Sequence, residues 1–328
     1  MKRRELLFAL AGVGAIALSP LRSVATSAQE LDPLELPAGF QYPNGITRSQ
    51  DGTLYVGSIL SGRILQINSA GEVQTFFEGN SDIFSVTSLR LDEPRHLLWG
   101  TSPDVLRTPQ SNAETVQKPH RIFAIDSRSG EVRHIIPMPD GGFGNDIALD
   151  PQGGVYVTDS LRPRIHYLPP GTTQFQTWAE DDRFRTQLRF GLSGIARQSD
   201  GILFVTMYSD GRLFKVTPQS ARDPLVDEIE LPRRIDGSDA IQFADDGSLI
   251  MVEGGVESGN GRLLRLHGLE IGAKPQFNTL ASRMDLPVNL TVVGGEIWLT
   301  ESLFRHRFVS GQETVIPDRF FVRRFALS

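Results

Sequence analysis

The stretch 192–214, LSGIARQSDGILFVTMYSDGRLF, reads as three short apolar strands in succession. Leu192-Ser193-Gly194-Ile195 opens it, Asp200-Gly201 turns it into Ile202-Leu203-Phe204-Val205, and Gly211-Arg212 turns it again into Leu213-Phe214. Asp-Gly between two apolar runs is a strong hairpin signal, and it predicts a type I′ turn with positive φ at both central residues. The same phrase recurs on either side. Pro43-Asn44-Gly45-Ile46 is followed by Asp51-Gly52 and Gly62-Arg63, and Gly144-Asn145-Asp146-Ile147 by Gly153-Gly154 and Arg164. Ser238-Asp239-Ala240-Ile241 is followed by Asp246-Gly247 and Gly261-Arg262. A degenerate copy surrounds Thr87 and Trp99, and another, without the Asp-Gly turn, surrounds Asn289 and Trp298. Equivalent positions fall at 44, 87, 145, 193, 239 and 289, in steps of 43, 58, 48, 46 and 50.

A β-type period of about 40 to 50 residues is the signature of propeller blades, in which radial closure leaves no long exposed sheet edge. The expected fold is therefore all-β, a six-bladed β-propeller. Outer strands are expected at 73–77, 132–137, 175–178 and 226–231. The sixth repeat stops after its third strand, near Phe325, while a spare outer strand, 34–37, precedes the first repeat. The N-terminal strand should thus complete the last blade. The long step holds a polar stretch, 104–119, expected to be an inserted loop, and the one candidate helix spans 178–190, acidic at its start and arginine-rich at its end.

The chain has 328 residues, 39 acidic and 33 basic, and no cysteine, which excludes disulfides, thiolate metal sites and thiol nucleophiles. A net charge of −6 argues against nucleic acid as a partner. Lys2, Arg3 and Arg4 precede an apolar run over 6–18, and small residues end at Ala28. Residues 1–28 read as a secretory signal of twin-arginine type, with 29–328 as one propeller domain, periplasmic or secreted and not membrane-bound once the signal is removed.

These repeats resemble the SMP-30/gluconolactonase family of six-bladed propellers. The resemblance implies a small molecule in the central channel, a divalent cation, usually calcium, and hydrolysis of lactones or related esters. The family pattern places a Glu in blade one, an Asn in blades three and four, and an Asp in blade five. By resemblance, Asn145 and Asp239 are the expected catalytic and metal-binding residues, with Asn44, Asp146, Ser193 and Asn289 as substrate contacts. Asn44 stands where the family has Glu, and Ser193 where it has Asn, so two ligands are changed. From their shared phase in the repeat, Asn44, Asn145, Ser193, Asp239 and Asn289 should converge on the channel, with Asp239 the one certain charge and Asp146 or Glu301 able to swing in.

The alternative is a non-catalytic propeller that binds a ligand or protein, having lost the metal set. Asp159, Glu253 and Glu301 close second strands and are expected to be solvated, as are the six histidines, with His306 a minor candidate for a general base over the channel. Ser193 lacks the spacing of a nucleophile elbow, and Gly141-Gly142-Phe143-Gly144 leads into a strand rather than a phosphate-binding helix.

Overall fold

In the computed structural model, which describes residues 28–104, 120–220, 223–270 and 272–327, six antiparallel four-stranded sheets stand in a ring. The inner strands are Pro43–Arg48, Ser88–Asp92, Gly144–Leu149, Leu192–Arg197, Ser238–Phe243 and Pro287–Val293. Each packs against the next and the last packs against the first, so the fold is a six-bladed β-propeller. The expected insertion and export signal lie outside the described residues, apart from Asp104 and Ala28.

Closure follows the expected route. The strand Gln29–Glu35 pairs with Phe321–Ala326 as the outer strand of blade six, so the strand begins and ends earlier than 34–37. Glu35 is paired with Arg319 and Glu30 with Arg323, on the strand beside it. Leu36 follows the strand, and its N–H donates to the Phe320 carbonyl at 2.9 Å.

Apolar burial is concentrated in the seams between blades, one cluster per seam. Between blades four and five, Phe204 and Leu213 meet Ile241, Leu249 and Met251. Burying each such side chain contributes about 1.5–3 kcal/mol. The second seam feature is polar. Near the end of the second strand, Thr101, Thr158, Thr206 and Thr300 each donate a hydroxyl to a carbonyl of the following blade, on Asn145, Ser193, Asp239 and Asn44 respectively. Inner-strand backbone in a dry seam is thereby satisfied across the blade boundary.

The Asp-Gly hairpins differ from expectation. Gly52, Gly201 and Gly247 have positive φ, but Asp51, Asp200 and Asp246 do not. Each hairpin is instead a type I turn closed by a left-handed glycine, as in Gly201 N–H to Gln198 O at 3.0 Å. The aspartate's part is a side-chain bond two residues ahead: Asp51 accepts from Thr53 N–H at 3.0 Å and Asp200 from Ile202 N–H at 3.1 Å. The hairpin with two consecutive positive-φ residues is Gly294-Gly295 of blade six, the repeat without Asp-Gly. The expected helix over 178–190 is also absent. That region continues the outer strand Gln176–Glu180 and adds one 3-10 turn, Asp182–Phe184, because Phe184 is buried in the blade three–four seam and the arginines pair locally with Asp181 and Asp182.

Of the strand-end acids, Asp159 and Glu253 are buried and Glu301 is half-buried, and all three are paired rather than solvated. Asp159 accepts from the N–H groups of Phe143, Leu161 and Arg162, and faces His166 at 3.2 Å. Glu253 bridges Arg233, Arg262 and the Asp236 N–H. Glu301 pairs with Arg323 at 2.7 Å and accepts from Asp285 N–H. Each carboxylate binds loops that connect neighbouring blades, a demand that draws it inward. His166 and His306 are buried too, against the surface placement expected of histidine.

Candidate active site

Where the inner strands start, blades one, three, four and five carry a β-bulge in which two residues stand opposite one, Gly57, Thr158, Thr206 or Val252, on the second strand. The first of the two is Asn44, Asn145, Ser193 or Asp239, and the second is Gly45, Asp146, Gly194 or Ala240. The first set lies near the channel mouth, and the second is wedged toward the neighbouring blade. Gly194 shows how tight that wedge is: a β-carbon there would lie 2.1 Å from the Asp239 carbonyl oxygen.

One cavity of about 110 Å³ collects Asn44, Thr87, Asn145 and Asp239, from blades one, two, three and five. Ile59, Tyr208 and Ser302, each the residue after a second strand, join them, as do Phe143, Phe190, Leu286, Val288, Phe304 and Phe308. Ser193 is not among the lining residues. Its hydroxyl donates to the Ser238 carbonyl at 2.6 Å and lies 3.0 Å from Thr206 Oγ1 in the blade four–five seam. Asn289 also faces elsewhere, because Leu290 of blade six aligns with Ile46 and Ile241, which puts Val288 at the cavity. The Asn289 amide donates to the Thr87 carbonyl at 3.0 Å and accepts from Leu290 N–H.

Asp146 is fully occupied. It accepts from Ser88 Oγ at 2.6 Å, Ile147 N–H at 2.8 Å and Ile195 N–H at 3.2 Å, and pairs with Arg90 at 3.0 Å. It therefore joins blades two, three and four, and neither it nor Glu301 is free to swing toward the channel. His306 turns away as well: Nδ1 lies 3.0 Å from the Leu303 carbonyl and Nε2 3.3 Å from Tyr42 Oη.

Among the described residues, Asp239 is the one carboxyl that lines the cavity, and no Arg, Lys or His lines it. Its carboxyl makes no hydrogen bond or ion pair within the described residues. Burial, and secondarily the charge of Asp146, pushes its pKa well above the usual carboxylate range. Desolvation similarly raises Tyr208, with Asp239 and Asp236 adding to the shift. Asn145 donates its amide N–H to Ser160 Oγ at 2.9 Å, which leaves its carbonyl oxygen available.

The donor set bears on a divalent cation. Carboxyl, amide, hydroxyl and phenol oxygens suit a hard cation such as calcium, and there is no imidazole or thiolate in the cavity to favour zinc. The set carries less charge than the family pattern, and among the described residues no three acidic, histidine or cysteine side chains cluster to hold a metal. A hard cation would fit here with water completing its shell and with one carboxylate as its anchor.

No family model matches the chain, and no curated protein does. Solved structures do match. A gluconolactonase of Xanthomonas campestris superposes with a TM-score of 0.62 at 13% identity, over 94% of this chain and 99% of that one. Virginiamycin B lyase of Staphylococcus aureus gives 0.56 at 19%, over 82% of each. The PQQ-bound aldose sugar dehydrogenase of Streptomyces coelicolor gives 0.56 at 16%, over 91% and 98%. The likeness is one of fold. Those proteins are a lactonase, a lyase and a dehydrogenase, so chemistry has to be argued from the cavity.

Sequence reasoning found Asn44, Asn145 and Asp239 and the phase of Thr87. It missed Tyr208 and the phenylalanine walls. A signal for Tyr208 was present, since the residue after Val205-Thr206-Met207 holds the same phase as Ile59 and Ser302, which also reach the cavity.

Proposed function

We propose that the chain is an exported hydrolase of a small lactone or related ester, with its site at the channel mouth around Asp239. The observation that carries this reading is the half-buried Asp239 carboxyl, without a partner among the described residues, in one cavity with the amides of Asn44 and Asn145. The carboxylates that serve the fold, Asp146, Asp159 and Glu253, are each paired within it, whereas Asp239 opens into the cavity.

In this reading Asp239, ionised, accepts the proton of a water molecule as its oxygen attacks the ester carbonyl carbon. The proton then passes to the departing alkoxide, giving an acid and an alcohol, or a hydroxy acid from a lactone. Asn44 can donate an amide N–H to the carbonyl oxygen as it gains charge, and the aromatic walls exclude bulk water. A divalent cation, calcium foremost, would be held by Asp239 and the carbonyl oxygens of Asn145 and Asn44, and would supply Lewis-acid polarisation.

The test is elemental analysis and calcium titration of the mature protein beside Asp239→Asn and Asn44→Glu. The reading expects calcium binding and lactone hydrolysis to disappear in Asp239→Asn, and calcium affinity to rise in Asn44→Glu, which restores the family's blade-one carboxylate. Unchanged metal content and hydrolysis in both variants would refute it. The single charge at the site favours one second reading, a non-catalytic ligand-binding propeller, which expects ligand binding with neither cation dependence nor turnover. Export is part of the proposal, supported by the twin arginines and the apolar run in residues 1–28. Arg3→Lys with Arg4→Lys should retain the precursor in the cytoplasm, and unaffected export would refute the twin-arginine route.

A further inference from the structure

Beside the Asp239 carboxyl and the two amides, the described lining of the cavity is mostly apolar. Phe143 and Phe190 stand 5.9 Å apart, and Phe190 meets Tyr208 edge-on at 6.1 Å. Phe304 stacks on Tyr42 at 4.5 Å and neighbours Phe308 at 6.2 Å. Phe308 is 47% exposed, an aromatic ring left open to water at the rim.

Among the described residues, the polar groups of the cavity are mostly spoken for. Thr87 Oγ1 is bonded to Thr101 Oγ1 at 2.5 Å, the Asn145 amide N–H to Ser160, and Ser302 Oγ to the Leu286 carbonyl at 3.4 Å. A polyhydroxylated ring would find the Asn44 amide, the Tyr208 hydroxyl, the Asn145 carbonyl and Asp239, and would leave further hydroxyls unpaired against phenylalanine. Each unpaired hydroxyl weakens binding.

The backbone supplies an independent sign. Tyr42, Leu286 and Leu303 are bulky residues at φ of 51°, 55° and 56°. Leu286 lines the cavity, Leu303 immediately precedes Phe304, and Tyr42 is the ring on which Phe304 stacks. Three strained positions thus hold one apolar wall, and strain of this kind is retained where the geometry it enforces is used.

We infer that the ligand is lipophilic, a lactone or ester bearing an alkyl or aryl group and not a sugar lactone, with its ring inside the cavity and its apolar arm running out over Phe308. The ester chemistry in this statement rests on the hydrolase reading above; the polarity of the ligand does not.

The experiment compares γ-nonalactone, γ-butyrolactone and glucono-δ-lactone on the mature protein, by calorimetric binding to Asp239→Asn and by hydrolysis with the unsubstituted chain. Expected is binding of γ-nonalactone at least about tenfold tighter than of glucono-δ-lactone, with Phe308→Ala weakening γ-nonalactone about tenfold and γ-butyrolactone much less. Phe308 is half-exposed, so this variant should fold, and its melting temperature checks that it does. Preferential binding or hydrolysis of glucono-δ-lactone would overturn the inference while leaving the hydrolase reading intact. Preferential γ-nonalactone binding without hydrolysis by the unsubstituted chain would support the inference and remove the hydrolase reading. Equal binding of all three, or indifference to Phe308→Ala, would also overturn the inference.

Discussion

Replacing Asp146 by alanine removes the carboxylate that joins three blades around the axis. Asp146 is 2% exposed, and it holds Ser88 and Arg90 of blade two, its own Ile147 N–H, and the Ile195 N–H of blade four. The substitution would leave two buried N–H groups without acceptors and the Arg90 guanidinium, 13% exposed, without a counter-charge. Removing one partner of a buried pair costs about 3–5 kcal/mol. Arg90 also lines the cavity of about 330 Å³ at the other end of the channel, where water can reach it, so the lower end of that range applies. With an unfolding entropy of about 2.1 cal/mol/K per residue, a domain of this length loses roughly 1.6 °C per kcal/mol, and the expected fall in melting temperature is about 5 °C. Calorimetry and urea unfolding of Asp146→Ala measure this directly. Pairing it with Arg90→Leu should recover part of the loss, because the orphaned charge is then gone. A loss below about 1 kcal/mol in Asp146→Ala would refute the assignment of Asp146 as an interblade staple.

Three further outcomes are expected. Asp239→Asn should leave the metal-free protein as stable as before or more so by about 1 kcal/mol, since a desolvated carboxyl without a partner is replaced by a neutral group; a clear drop in melting temperature would show that Asp239 is structural. Deleting 29–35 should expose the edge of Phe321–Ala326 and cause aggregation, whereas a truncated chain that stays monomeric and melts unchanged would contradict the closure. Burial alone would raise the pKa of Glu253, but hydrogen bonds from Arg233 and the Asp236 N–H outweigh it, so its pKa in the fold lies below the ordinary 4.5. A depressed carboxylate contributes stability above its unfolded pKa and loses it as pH falls through the folded value, so Glu253→Gln should flatten the loss of stability below about pH 4.5, and an unaltered acid limb would contradict the assignment.

The spacing of Asn44, Thr87, Asn145 and Asp239 was enough to place four side chains in one cavity, because a propeller repeats its inner strands about a single axis and sequence phase becomes angular position. Closure was legible for a related reason: a blade one strand short must take that strand from elsewhere in the chain. Asn289 escaped the reading because the Gly294-Gly295 hairpin of blade six is shorter than the Asp-Gly hairpins. Leu290 pairs with Leu299, nine positions on, where Ile46 pairs with Val56, ten on. Counting from asparagine to asparagine therefore slipped by one residue, which on a strand changes the face.

What the tertiary structure alone decided is which polar side chains are spent on the fold. Ser193, Asp146 and Glu253 have the same composition-level credentials as Asn145 and Asp239, and each is bonded to groups 17 to 58 positions away, on neighbouring blades or the loops between them. One-dimensional periodicity shows where a residue sits in its own repeat and is silent on what the adjacent repeat presents to it. The seam, with the Ser193 hydroxyl donating to the Ser238 carbonyl and Ile195 N–H reaching Asp146, removes those residues from the channel's chemistry and leaves Asp239 without a partner among the described residues. Hydrogen-bond satisfaction is a property of neighbours in space, and so the sequence determined the ring while the packing of its blades determined the site.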